Sequence, residues 1–135
     1  MKLDITDINI IDLLRNNSKL SNKEISRQIK KPITTVHNRI KRLEKEGIIK
    51  KYTIITDNKK LGKLISAYIL INMDYQQIKE HKYSQSELAD KIRTNKFVEL
   101  ADVITGNKDI ILKVLVRDIE ELNDLIANIL QTIPE

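Results

Sequence analysis

Pro32 and Gly47 set the tightest local constraint on this chain. Between them lies ITTVHNRIKRLEKE, residues 33–46, without a glycine or proline. Proline biases the residue before it away from helix yet suits a first helical turn, and glycine readily takes the left-handed conformation that ends one. The bracketed stretch is therefore a helix from about Ile33 to Glu46. At about 100° per residue, Val36, Ile40 and Leu43 gather on one side with Ile33 beside them. Thr34, Thr35, Asn38, Lys41, Arg42 and Lys45 take the opposite side, and His37 and Arg39 stand on the flanks.

A second helix precedes it at once. Ser21 followed by Glu24 has the spacing of a capping box, and Ile25 and Ile29 supply an apolar face. Lys30-Lys31-Pro32 interrupts the pattern. Before these lies a first helix, capped by Asp4 or Thr6, with Ile8, Ile11 and Leu14 at helical spacing and a turn at Asn16-Asn17-Ser18. After Gly47, the β-branched run Ile48-Ile49 to Thr53 predicts a short strand. Two helices joined by a tight turn, the second one basic, outline a helix-turn-helix. Short polar groups near the start of the last helix suit base edges in a major groove, and the cations beyond them suit phosphates.

Any solvated helix shows a polar face, so the location of charge decides. Residues 1–62 hold 15 Lys and Arg against 7 Asp and Glu, an excess of 8; residues 63–135 hold 9 against 12, a deficit of 3. All of the net charge of +5 therefore comes from the first half. That asymmetry points to a polyanion partner for one module and another task for the second. With 0 Cys, a disulfide framework, a cysteine metal site and a thiol nucleophile are excluded. The start MKLDITD lacks an apolar signal core, and no run is long enough to span a membrane, so a cytoplasmic location is expected.

The second half changes period. Residues 57–62 are polar and end in glycine, as a linker does, which predicts domains at 1–56 and 64–135 joined by 57–63. LISAYILINM, Leu64 to Met73, alternates an apolar face of Ile65, Ala67, Ile69, Ile71 and Met73 with a mixed one of Leu64, Ser66, Tyr68, Leu70 and Asn72. Strands follow at Phe97 to Thr105 and Asp109 to Val116. A helix over about Ser84 to Thr94 turns Leu88 and Ile92 inward. A last helix is expected to bury Ile119, Leu122, Ile126, Ile129 and Leu130. The order β-α-β-β-α is the ferredoxin-like pattern short of its final strand, so the fold class is α+β. Helices on one face of a three-stranded sheet leave Leu64, Tyr68 and Leu70 exposed on the other. A two-fold contact between copies is the usual remedy.

VHNRIKRLEKEGIIKKYT resembles the V-x-x-R-[IV]-x-x-L-E-x-x-G-[IV]-I-x-x-Y-T stretch of the leucine-responsive/asparagine-regulator (Lrp/AsnC) family of transcription factors. The likeness runs back through LSNKEISRQI and forward into the β-rich half. It implies a winged-helix-like DNA-binding domain and a C-terminal βαββαβ module for dimerisation and effector sensing. It further implies contacts to double-stranded DNA by Ser21, Asn22, Lys31, Thr34, Thr35, His37, Asn38, Arg39, Lys41, Arg42 and Lys45. The homodimers it implies allow assembly into tetramers or octamers. Two departures stand out. Lys30 and Pro32 replace the glycine and the capping serine usual there, which predicts a tighter or shifted turn whose extra lysines add phosphate contacts. The chain also ends at TIPE, where a fourth strand is expected in relatives.

ITGNKD is similar to the family's T-G-x-x-D element, which implies an amino-acid effector site at Thr105, Gly106, Asn107, Lys108 and Asp109. Glycine permits close approach by a ligand and Asp109 could accept from an ammonium group; the same residues equally suit a plain hairpin turn. No cofactor or metal is expected, and no nucleophile–base pair or phosphate-cradling loop is visible. His37 and His81 read as ordinary surface residues. The enzyme alternative is a tetrapyrrole-acting decarboxylase of related fold; a helix-turn-helix used for protein contacts alone is the third reading.

Overall fold

The computed structural model describes residues 2–74 and 84–132, so His81 and the TIPE end beyond Thr132 lie outside the described residues. The chain divides into two compact units, Met1–Ile55 and Thr56–Glu135.

The first unit is three helices: α1 (Ile5–Asn16), α2 (Asn22–Ile29) and α3 (Ile33–Lys45). Asp4 opens α1 through a reciprocal box in which the Asp7 N–H donates to Asp4 Oδ1 and the Asp4 N–H to Asp7 Oδ2, both at 3.0 Å. Ser21 and Glu24 form the expected box on α2, with Glu24 Oε2 accepting from the Ser21 N–H at 2.7 Å. Gly47 ends α3 in the left-handed region at φ 71°, which brings the Ile48 and Ile49 N–H groups back onto the Leu43 carbonyl. Ile10, Ile25, Val36 and Leu43 are wholly buried where the three helices meet, and Leu20, Ile29, Ile40 and Ile49 pack around them.

Three expectations are corrected in this unit. Ile10, rather than Ile8, is the deep residue of α1, and Ile8 is exposed. Ile33 is likewise exposed, because it precedes the first turn that faces the core. Residues 48–56 form no strand; a ladder needs a partner strand, and the unit offers none among its described residues.

The second unit runs β1 (Ile65–Ile71), α4 (Gln85–Arg93), β2 (Val98–Val103), β3 (Ile110–Val116) and α5 (Ile119–Thr132). The sheet order is β1-β3-β2, all antiparallel, with Ile65 opposite Val116, Ile71 opposite Ile110 and Val103 opposite Ile110. The two chain-adjacent strands β2 and β3 form a hairpin, and β1 lies on the far side of β3. Ile110, Leu112, Val114 and Val116 of this central strand are fully buried against Leu88, Ala89, Ile92, Leu125 and Ile129 of the helices. The inward face of β1 is the one expected, Ile65 to Met73 in alternation. In α5 the buried residues are Leu125 and Ile129, flanked by Leu122, whereas Ile119 and Leu130 are exposed. The inward stripe is therefore 122-125-129, and the end residues of the helix fall outside it.

Candidate nucleic-acid interface

The turn between α2 and α3 is closed by one serine. The Lys31 N–H donates to the Ser26 carbonyl at 3.2 Å, and Ser26 Oγ donates to the Lys31 carbonyl at 2.5 Å. Reaching that carbonyl requires a left-handed residue at the helix end, and Lys30 supplies it at φ 54°, ψ 48°. Lys30 thus adopts, with a side chain, the left-handed conformation that glycine takes most readily at a helix end. The proline substitution has a separate effect: Pro32 gives α3 no side-chain cap.

On α3 itself, burial of Val36 and Leu43 fixes which side faces out. Thr34, Asn38, Lys41 and Lys45 lie opposite these residues and are exposed; His37 is exposed on one flank and Thr35 half-buried on the other. Lys41 and Lys45 form no ion pair with any described residue, and neither does Lys31. Ser21 and Asn22 begin α2, and the Asn22 amide lies 3.2 Å from His37 Nδ1. That contact ties the first turn of α2 to the outer side of α3. Nine of the eleven sequence-predicted contacts, all but Arg39 and Arg42, are thus free of ion pairs on α2, the turn and α3.

Arg39 and Arg42 turn elsewhere. Both reach α1, where the fully buried carboxylate of Asp7 accepts from Arg42 Nη2 at 2.8 Å and from Arg39 Nη1 at 3.1 Å. Asp4 Oδ2 takes a further bond from Arg39 Nη1 at 2.5 Å. The hydrogen bonds to Asp4 and then to Asp7 hold the Arg39 guanidinium above its ordinary pKa. The Asp7 N–H first, and the Arg39 guanidinium second, hold Asp4 below its usual range. The cationic face is accordingly narrower than the sequence pattern suggests: its centre is Thr34, Asn38, Lys41 and Lys45. Asp7 is the residue sequence reasoning missed. Its only sequence signal is an acid three places after a capping acid, and nothing local connects it to arginines more than thirty residues on.

Behind α3, the Tyr52 hydroxyl donates to Glu44 Oε1 at 2.7 Å. Burial, then this bond, pushes the Tyr52 hydroxyl up to about 12. The contact fastens the stretch after Gly47 to α3 without a strand.

In the second unit, residues 104–109 form the turn between β2 and β3. Gly106 sits at φ 121°, a conformation that a side chain would strain, and Thr105, Gly106 and Asn107 are exposed. Asp109 is buried. Its Oδ2 accepts from the Met73 N–H at 2.8 Å and its Oδ1 from Gln85 Nε2 at 2.7 Å, joining the end of β1 to the start of α4. With its amide nitrogen toward the turn, Asn72 donates to the Asn107 carbonyl at 2.8 Å and accepts from Lys108 Nζ at 3.1 Å. Thr105, Gly106, Asn107, Lys108 and Asp109 do come together, yet Asp109 braces the turn from within.

A tight two-helix motif with an unpaired cationic outer face, carried in one chain with a small α+β module, defines a helix-turn-helix DNA-binding regulator. The sequence matches the winged helix-turn-helix DNA-binding family over residues 3–50 and the Lrp/AsnC ligand binding domain over residues 66–135. It is 37% identical to the HTH-type transcriptional regulator FL11 of Pyrococcus furiosus, across 92% of this chain and 78% of that protein. It is 36% identical to the regulator LrpC of Bacillus subtilis, across 93% of this chain and 83% of that one. The solved structure of B. subtilis LrpC superposes with a TM-score of 0.72 over 95% of this chain and 86% of that one, at 35% identity. That of E. coli AsnC gives 0.77 over 100% and 87%, at 26% identity. The chain belongs to the Lrp/AsnC family of transcriptional regulators. It is a regulator and not an enzyme, and nothing supports the decarboxylase alternative. Among the described residues no helix is long and apolar enough to cross a membrane.

Proposed function

We propose that the chain reads pseudo-palindromic duplex DNA with the outer face of α3, in the cytoplasm, as a homodimer that can assemble further into tetramers or octamers. Thr34 and Asn38 are the base-reading residues. Lys41, Lys45 and Lys31 neutralise phosphates, with Thr35, His37, Ser21 and Asn22 at the edges of the contact. Arg39 and Arg42 set the attitude of α3 against α1. One observation carries this reading: Lys41 and Lys45 stand together on the outward side of α3, unpaired among the described residues, while the two arginines are paired with Asp7.

Residues 1–56 are the DNA-binding domain and 64–135 the sensing and dimerisation domain, joined through 57–63. The dimer is supported by an apolar sheet face that the helices leave uncovered, where Leu64, Tyr68 and Leu70 are all more than half exposed. An amino-acid effector is supported by the match to a ligand binding domain and by the open Gly106 turn. Thr105, Gly106, Asn107 and Lys108 offer its contacts, and Asp109 shapes the turn they sit on. Selection of bound fragments from genomic DNA, followed by footprinting, tests the reading. Two protected half-sites about one helical turn apart are expected. A protein that enriches no sequence and protects no site would overturn it. For the effector, calorimetric titration of the intact oligomer with each amino acid is expected to give heat for at least one; silence for all of them removes that part.

A further inference from the structure

Lys30 is the one residue other than glycine with a positive φ among the described residues, at 54°. A side chain in that region crowds its own backbone. The conformation is enforced by Ser26, whose carbonyl and hydroxyl grip the Lys31 peptide on both sides. The Lys30 side chain receives nothing in return from the fold: it is exposed and forms no ion pair with any described residue. A strained residue held by its surroundings is a sign of function outside the fold. Its position says which. Lys30 closes α2 directly ahead of the first turn of α3, beside Lys31 and four residues before Thr34.

We propose that Lys30 is a phosphate-binding residue. Its ammonium would neutralise a backbone phosphate at the lip of the groove that α3 enters, adding affinity that does not depend on sequence. The proposal rests on the reading of α3 as the DNA-contacting helix, and deepens it.

The test uses the full chain and sheared genomic duplex DNA, so that no operator need be known. Each neutralised phosphate contributes about 0.9 to the slope of log affinity against log salt. Lys30→Gly is expected to lower that slope by about 0.9 per bound protomer and to weaken binding about fivefold per protomer near physiological salt. Its thermal midpoint should rise by a few degrees, because relief of strain outweighs the added freedom of the unfolded chain. Lys30→Asn, which tolerates the same conformation without glycine's flexibility, should lose the same slope, and Lys30→Arg should keep it. If both Gly and Asn variants keep the wild-type slope while wild-type protein binds DNA in a salt-dependent way, the phosphate role is wrong and the α3 reading stands. If wild-type protein shows no salt-dependent binding to duplex DNA, both fall together.

Discussion

Asp7 Oδ2 lies 2.8 Å from Arg42 Nη2, and the carboxylate that makes this bond is completely buried. Asp7 thereby does three jobs with one carboxylate: it closes the capping box of α1, holds Arg39 and holds Arg42. The reciprocity matters, since Arg42 Nε is itself buried without a partner among the described residues and gains nothing from water. This pair joins the first helix to the one that carries the DNA-facing side chains.

Removing Asp7 leaves two guanidinium groups facing an apolar seam. Asp7→Ala is expected to destabilise the first unit by about 2–3 kcal/mol, less than a fully buried pair would lose because Arg39 and Arg42 both retain some access to water. Arg42→Glu, which places two acids in contact, should be worse. Chemical denaturation followed by circular dichroism checks both. Equal stability to wild type would show that the network is ornamental. Arg42 variants are for the same reason unsuitable as probes of DNA contact.

Lys41→Glu is the cleaner probe. The side chain is exposed and unpaired among the described residues, so stability should change by less than about 0.5 kcal/mol. Affinity for duplex DNA should fall more than tenfold, and the salt slope should drop by about 0.9 or more per protomer. Unchanged affinity would move the interface off the centre of α3.

Tyr52 supplies an alkaline signature. Its hydroxyl titrates at about 12 in the folded chain against an ordinary 10.0. A neutral phenol is thus favoured by folding. This contribution is complete below about pH 10, where both states are protonated, and is lost as pH rises from 10 toward 12 and the unfolded chain ionises first. Ultraviolet titration should show a late-ionising tyrosine component, and Tyr52→Phe should diminish it by one residue's amplitude. A uniform titration of all tyrosines near 10 would remove the contact between Tyr52 and Glu44.

Asp109→Asn tests the brace beneath the effector turn. The amide keeps one acceptor but opposes an N–H to a donor, so a loss of about 1–2 kcal/mol is expected from the second unit. A loss of effector binding with stability unchanged would instead assign Asp109 to the ligand.

The sheet face is tested by sedimentation. Wild-type protein at micromolar concentration should sediment as a dimer or larger. Leu70→Glu, at a position already half exposed in the single chain, should shift it toward monomer with little loss of secondary structure. A monomeric wild type would refute the sheet-mediated dimer.

The elements themselves were readable because their signals are local. The capping box of Ser21 and Glu24 is a four-residue pattern and forms as expected; the boxes of Asp4 with Asp7 and of Ser84 with Glu87, which were not singled out from the sequence, use the same spacing. Pro32 and Gly47 bound α3 through their own backbone geometry, and the switch from helical spacing to alternation marked where the second unit begins. Periodicity erred where it cannot see an element's ends or its surroundings. Ile33, Ile119 and Leu130 satisfy a helical pattern but lie at helix ends, beyond the reach of the surface that would bury them. Ile48 to Ile55 has strand composition, yet composition supplies no hydrogen-bond partner.

The face of α3 divides the two kinds of knowledge most sharply. Spacing alone put Lys41 and Lys45 opposite Val36 and Leu43, because a helix's own geometry relates them whatever it packs on. Spacing could not tell that Arg39 and Arg42 belong to Asp7. Their assignment depends on α1 lying alongside α3, a contact between residues 32 and 35 positions apart. Likewise, alternation identified the inner face of β1, while the placing of β3 between β1 and β2 came only with the folded sheet. Short-range pattern reports which side of an element is apolar; which charge meets which, and which strand sits in the middle, is settled by packing among segments distant in the chain.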